Sequence, residues 1–456
     1  MYRKNAWEKY DDAQLKEVDC LAKDYMSFIS SNKTERTQVK GSVEVLKAKG
    51  YKEFEYGMSL KTGDKVYFVN KKKNVVAFII GKKPLREGLR ILGAHIDSPR
   101  LDVKQNPLYE AGGLCLLDTH YYGGIKKYQW TCRPLALVGV VVKKDGTTID
   151  VNIGDDENDP AIGINELLIH LSADQMQKSA AKAVDGEDLD ITLGSKPMKG
   201  AEKDKVKASV LAALKEKYGF DEEDFVSAEL EAVPAGKAKD FGLDRSMMAG
   251  YGHDDKCCAY SSLRAMVDLE EVPDYTSCVA LVDKEEIGSV GASGAQSRFF
   301  ENCIAELIEA TGEDIRRLKV ALSNSYMLSS DVSAAYDPLY PSVMETRNCC
   351  YLGNGIVFNK YTGSRGKSGC NDASAEMLGA LRRIMDEANV NWQTAELGKV
   401  DQGGGGTIAY ILANLNINVI DAGMAVLNMH SPMEVISKAD FYEAYKAYQA
   451  FLKGNF

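Results

Sequence analysis

Three histidines and a set of carboxylates stand in five short clusters strung along most of the chain, several of them directly behind an apolar run short enough to be a buried strand. The clusters are His95 with Asp97, His253-Asp254-Asp255, Glu285-Glu286, Ser330-Asp331 and Asn428-Met429-His430. Residues so far apart act together only if the chain returns repeatedly to one place. Open α/β sheets do this, because ligands bind outside the carboxyl ends of their strands. The chain has only five histidines, so placing two of them at strand ends is selective. The clusters supply two imidazoles and three carboxylates, the donor set for two adjacent divalent ions, with a further carboxylate to act as a base.

At 456 residues the chain exceeds what one hydrophobic core supports, which sets a prior of about two or three domains. Apolar residues make up 45% and charged residues 27%, an ordinary globular balance with no uncharged run of membrane-spanning length. The first residues carry charges and no apolar signal region, so the expected location is cytoplasmic. A net charge of -10 argues against nucleic-acid or anionic-membrane binding, which need a basic face. The ten cysteines include no C-x-x-C spacing and read as reduced, small hydrophobes. A small molecule or a peptide is the expected partner.

Apolar spacing predicts helices over residues 13–31 and 37–49, then a hairpin from Lys65–Asn70 and Asn74–Ile80. Arg90–His95 reads as a buried strand that delivers His95 at its end. From about Val103 to Lys239 the texture changes to short β-type runs and a charged helix ending at Tyr218, with Gly219 as its C-cap. This segment reads as an insertion, which gives a catalytic domain of residues 1–103 and 240–456 and a mainly β domain of 104–239. After Met248, helices at 258–269 and 373–389 alternate with strands at 276–282 and 418–423, the pattern of a helix-covered sheet.

Taken singly, each cluster has an ordinary reading. On a strand, His95 and Asp97 leave the same face, and Asp97 can accept the non-ligating N–H of His95. A structural histidine beside a loop aspartate would look the same. Asp254-Asp255 fits either a bridging ligand or a helix N-cap, Asp331 fits an Asx turn, and Glu285-Glu286 fits a solvated strand end. His430 fits a satisfied core histidine.

In combination the clusters resemble a known family. Gly93 through Leu101, His253-Asp254-Asp255, Lys284 through Ser289, Ser329-Ser330-Asp331 and Met429 through Glu434 are similar to the ordered motifs of the M18 metalloaminopeptidases, and the similarity extends over nearly the whole chain. The resemblance implies an α/β mixed-sheet zinc-peptidase domain whose inserted domain mediates dimerisation within a dodecamer. It implies that His95, Asp254 and Asp331 hold one metal and that Asp254, Glu286 and His430 hold the other, with Asp254 bridging. Glu285 becomes the general base and Asp97 the partner of His95. Zinc is the implied metal, with cobalt or manganese able to suit the same donors.

Two positions depart from the eukaryotic aspartyl aminopeptidase pattern: Asp255 stands where those relatives have Asn, and the run Gly403–Gly406 replaces a Cys-Gly turn. That run lacks the Gly-Lys-Ser/Thr of a phosphate-binding loop. It reads either as a cradle in which Gly404 and Gly405 offer N–H groups to substrate, or as a flexible turn. His170 resembles a family histidine that enters a neighbouring subunit's site, the alternative being a core histidine on a helix face. Lys360, with Arg365 and Lys367, offers a cation for an acidic substrate, although basic loops are more often simply solvated. The favoured reading is a peptidase removing single N-terminal residues with broad or neutral preference. Strict Asp/Glu selectivity, an N-acyl amidohydrolase and a non-catalytic assembly protein are the competing readings.

Overall fold

The computed structural model describes residues 4–456. Its architecture is mixed α/β, and the chain divides into two compact units. The first contains residues up to Asp97, Ala238–Met429 and Met433–Phe456, and the second contains Ser98–Lys237 with the short segment His430–Pro432. The break at Asp97/Ser98 falls a few residues before Val103 because the strand beginning at Arg100 runs unbroken to Ala111.

The first unit is built on a nine-stranded sheet. At its centre Thr276–Val282, Leu89–His95, Tyr326–Ser329 and Asn418–Gly423 lie side by side and run parallel. The hairpin Lys65–Asn70/Asn74–Ile79 extends one side antiparallel. Beyond Asn418–Gly423 the edge is completed by Ile356–Asn359, antiparallel to it, and Trp392–Thr394. Every residue of Leu89–His95 and of Thr276–Val282 is buried, as expected of parallel strands covered on both faces.

Helices Asp12–Ser31, Glu35–Ala48, His253–Val267, Ala375–Glu387 and Lys438–Lys453 close one face of this sheet. The other face is covered by Phe299–Ala310, Leu318–Ser323 and the short helix Ala409–Ala413. The first two helices start where sequence permits it: Asp11 and Thr34 each form a reciprocal capping box, satisfying N–H groups that a helix start otherwise leaves bare. Tyr25 stacks on Phe441 with ring centroids 4.5 Å apart, joining the first helix to the last. A further five-stranded sheet of very short strands includes Met247–Gly250 and Glu434–Ser437.

The second unit is a seven-stranded antiparallel sheet, in which Leu135–Val142, Ala228–Pro234, Arg100–Ala111 and Leu114–Tyr122 are the central neighbours. Its one long helix, Lys205–Tyr218, ends at Gly219 with φ +74°, a left-handed cap that favours glycine. Among the described residues no helix is long and apolar enough to cross a membrane, and all ten cysteines are free.

Candidate metal centre

Three of the four central parallel strands end at residues that carry chemistry. Leu89–His95 ends on His95, Thr276–Val282 leads through Asp283 and Lys284 into the turn Glu285–Ile287, and Tyr326–Ser329 leads through Ser330 to Asp331. The register places Val282 beside His95 and Ser329 beside Gly93, so these ends lie level.

His253–Val267 brings Asp254 to the same point. Asp254 and Asp255 have non-helical backbone angles inside this helix, and the peptide between them is cis. The helix N-cap is Gly252 and no side chain caps it, so neither aspartate is the capping residue that its position suggests. The Asp254 N–H instead donates to Glu434 Oε2 at 2.9 Å. Glu434 is a supporting residue that reading the sequence missed; its signal was its place at the end of the Met429–Glu434 motif.

Asp254 Oδ1 lies 3.1 Å from His95 Nε2, and Glu285 Oε2 lies 3.9 Å from the same nitrogen. Donor atoms of His95, Asp254 and Asp331 all fall within 4.8 Å of one another, as do those of His95, Glu285 and Glu286. His95, Asp254 and Asp331 are buried. Asp97 ties this group together. Its carbonyl and carboxylate lie 3.0 and 3.3 Å from His95 Nδ1, which fixes Nδ1 as the protonated nitrogen and turns Nε2 toward Asp254. Its two carboxylate oxygens also accept the N–H groups of Glu285 and Glu286 at 3.1 and 3.2 Å. One aspartate therefore orients a histidine and clamps the turn that carries two glutamates.

The electrostatics fit a cation. Burial pushes the Asp331 carboxyl well above the carboxylate range, and Asp254, Glu285 and Asp421 push it further although His95 opposes them. For His95, burial alone would lower the imidazole's affinity for a proton, but hydrogen bonds to Asp254 and Asp97 reverse the direction and hold it well above its ordinary value. A divalent ion among these groups would invert both directions, stabilising carboxylates and neutral imidazole. The donor set of imidazole nitrogen and carboxylate oxygen suits zinc.

His430 follows the strand Ala425–Leu427 with φ +63°. It belongs to the segment grouped with the second unit, where its Nδ1 lies 2.9 Å from the Gly124 carbonyl. With Nδ1 turned to that carbonyl, a metal bound by this imidazole would take its Nε2. His253 is a different kind of histidine: burial pushes it down to about 3, and the Tyr25 hydroxyl lies 2.7 Å from its Nδ1.

The residues read as substrate-binding take distinct positions. Lys360 Nζ pairs with Asp372 at 2.6 Å, and Lys367 shares the same carboxylate at 3.2 Å; Arg365 is exposed. Lys360 is therefore already partnered. A surface pair of this kind contributes about 0–1 kcal/mol, so a substrate carboxylate competes with it only at modest cost. Gly404 and Gly405 thread a narrow passage, with the Gly363 N–H donating to the Gly405 carbonyl at 2.6 Å. The helix that follows is only five residues long, which weakens any dipole at its start. His170 lies in the exposed turn Ile169–Leu171, so it is not a core histidine on a helix face.

Comparison with known proteins gives the family. The family model described as "Aminopeptidase I zinc metalloprotease (M18)" matches residues 28–452. A protein of Clostridium acetobutylicum named as a probable M18 family aminopeptidase 1 is 59% identical, the match covering 98% of each chain. The crystal structure of an M18 aminopeptidase from Thermotoga maritima superposes with a TM-score of 0.96 at 43% identity over 100% of both chains. The mApe1 dodecamer of S. cerevisiae shares the fold, with a TM-score of 0.78 at 21% identity over 96% of this chain and 97% of that one. With the family match spanning both the strand-end clusters and the second unit, the chain belongs to the M18 family of zinc metalloproteases and is a metal-dependent aminopeptidase.

Proposed function

We propose that the enzyme releases single residues from peptide N-termini at a centre of two divalent ions. His95, Asp254 and Asp331 hold one ion, Asp254, Glu286 and His430 hold the other, and Asp254 is shared. The observation that carries this reading is the convergence of His95, Asp254, Asp331, Glu285 and Glu286 at level strand ends. Zinc is the preferred metal, and cobalt or manganese suits the same donors. When bound, the ions supply Lewis acidity that polarises the scissile carbonyl and acidifies the attacking water.

The protein's own groups do the rest. Glu285 stands 3.9 Å from His95 Nε2 without completing the His95, Asp254, Asp331 triad, so its carboxylate is placed to take the proton of the attacking water and return it to the leaving amine. The Asp97 clamp on the Glu285 and Glu286 N–H groups holds that carboxylate in position while it changes charge. Residue preference is broad, with neutral side chains such as Leu or Met accepted, because Lys360 and Lys367 stand exposed in a loop, where basic side chains are ordinarily solvated and form no buried pocket for an acidic side chain. The N–H groups of Gly404 and Gly405 face the backbone of the substrate.

A panel of Leu-, Lys-, Glu- and Asp-arylamides, assayed after chelation and re-addition of zinc, cobalt or manganese, tests this. Activity lost on chelation and regained with metal, with Leu within about a hundredfold of the acidic pair, is expected. A preference for Asp and Glu beyond that, about 2.7 kcal/mol, overturns the specificity. Equal cleavage of an N-acetylated peptide would favour an amidohydrolase, and full activity without metal would remove the two-ion reading.

The inserted region, residues 104–239, serves assembly. Leu167, Leu168, Ile169, Leu171 and Met176 are 46% to 70% exposed around His170, an apolar strip of the kind that marks an interface. A homo-oligomer built from dimers, up to the dodecamer described for the yeast relative, would cover it and carry His170 to a neighbouring subunit. Replacing Ile169 and Leu171 with Glu is expected to give smaller particles in light scattering and at least about tenfold lower turnover. A wild-type protein that is fully active as a monomer would refute this role. Ten free cysteines suit a reducing compartment, and we place the enzyme in the cytoplasm.

A further inference from the structure

The turn that carries Glu285 is one limb of a longer loop. Thr276–Val282 leads to Asp283, the chain runs out through Glu285 and Glu286, and it returns to pair Gly294 with Asp283. Ser293 closes the loop there. Its hydroxyl donates to Asp283 Oδ2 at 2.6 Å, and its carbonyl accepts the Asp283 N–H at 3.3 Å. Within the loop the Ser289 N–H donates to the Lys284 carbonyl at 2.7 Å, and a Cβ on Gly294 would stand 2.1 Å from the Ser289 carbonyl oxygen. At Gly294 the two limbs pass backbone against backbone.

A second element grips this closure from outside. The hairpin Lys65–Asn70/Asn74–Ile79 sets Asn70 directly opposite Asn74, so both side chains leave one face of it. Their amides donate to consecutive carbonyls of the loop, Asn70 Nδ2 to Ala292 at 2.7 Å and Asn74 Nδ2 to Ser293. The register explains the reach: Val75 lies beside Leu281, which brings Asn74 level with the end of the strand leading to Asp283. Asn74, Ser293 and Asp283 are 1%, 4% and 1% exposed. Polar groups buried to that degree are costly unless hydrogen-bonded, and the rest of Asn74–Ile79 is buried apolar strand. What the polar set adds is direction, since each bond fixes one backbone atom of the loop in place. Glu285 lies two residues from Asp283, and its own N–H rests on Asp97. The base therefore stands between two fixed points.

We propose that Asn70, Asn74 and Ser293 are positioning residues for the aminopeptidase reaction: they lock the foot of the 283–294 loop and so hold the Glu285 carboxylate where proton transfer needs it. The proposal rests on the reading of Glu285 as the general base. None of the three belongs to the groups of donors that could hold a metal, so their loss is felt in kcat while the metal stays bound.

The test is a double-mutant cycle between Ser293→Ala and Glu285→Gln on the metal-loaded enzyme with Leu-arylamide as substrate. Ser293→Ala is expected to lower kcat about tenfold or more with KM nearly unchanged, because small misplacements of a reacting group are costly. Ser293→Thr keeps a hydroxyl and should recover most of that loss. In the Glu285→Gln background, where no base remains to be positioned, Ser293→Ala should change kcat by less than about twofold. Metal content should match wild type throughout, and hydrogen exchange across residues 283–294 should quicken in Ser293→Ala. Wild-type kcat in Ser293→Ala beside a crippled Glu285→Gln overturns the anchor and leaves the base in place. Losses that multiply in the double variant, or that track loss of metal, also overturn it. Near-normal turnover in Glu285→Gln removes the base and the anchor together. If Ser293→Ala does not fold, Asn70→Ala, at the half-buried end of the hairpin, takes its place in the cycle with the same pattern expected.

Discussion

Glu285→Gln is expected to lower kcat by at least about a hundredfold while leaving the metal content unchanged. General base catalysis typically contributes about 10² to 10⁴ in rate, and the lower figure corresponds to about 2.7 kcal/mol of transition-state stabilisation. Glutamine keeps the length and the acceptor oxygen of the side chain. The Asp97 clamp also survives the change, since it grips the backbone N–H of Glu285 and not its carboxylate. What disappears is a group that can accept a proton. Metal analysis of the purified variant beside steady-state kinetics checks the outcome. Near-normal turnover in a fully loaded variant would mean that another group is the base.

The larger effect is expected at Asp254. Asp254→Ala should lose the metal ions and nearly all activity, because this carboxylate stands 3.1 Å from His95 Nε2 at the centre of the donor group. Asp255→Asn should keep both. The Asp255 side chain is not among the donors grouped with Asp254 and accepts the His95 backbone N–H through Oδ2 at 3.4 Å, a contact that an amide oxygen can reproduce. The comparison controls for folding, since both positions share one buried helix start. Equal metal loss in two folded variants would show that the shared ligand is the wrong carboxylate.

Much of this centre was legible because its parts are local. A seven-residue apolar strand ending in His95, and another followed at once by Glu285-Glu286, announce themselves by burial pattern alone. The capping boxes at Asp11 and Thr34 and the left-handed Gly219 likewise depend on near neighbours. What escaped depends on distant partners. The helix expected at 258–269 is preceded by a start at His253 in which Asp254 and Asp255 are non-helical, and the Glu434 that accepts the Asp254 N–H lies far along the chain. The five-stranded sheet is assembled from strands of two to four residues, too short for any periodicity to reveal. Asp421 was hidden by its company: within Val419-Ile420-Asp421-Ala422 it reads as one polar position in a strand, and only the register with Ser329 and Asn359 shows it to be buried. Lys360 looked like a substrate cation because Asp372, twelve residues later, had no visible claim on it.

The last helix, Lys438–Lys453, lies against the helix that presents Asp254, and Tyr448 reaches the Ala422 carbonyl at 2.8 Å. Synthesis delivers that helix after every ligand-bearing strand. Because domains fold as units and non-local pairings form slowly, a nascent chain still on the ribosome holds its donors as unassembled pieces. The order of the sequence thus works as a delay: the donors can be brought together only after this helix has been made.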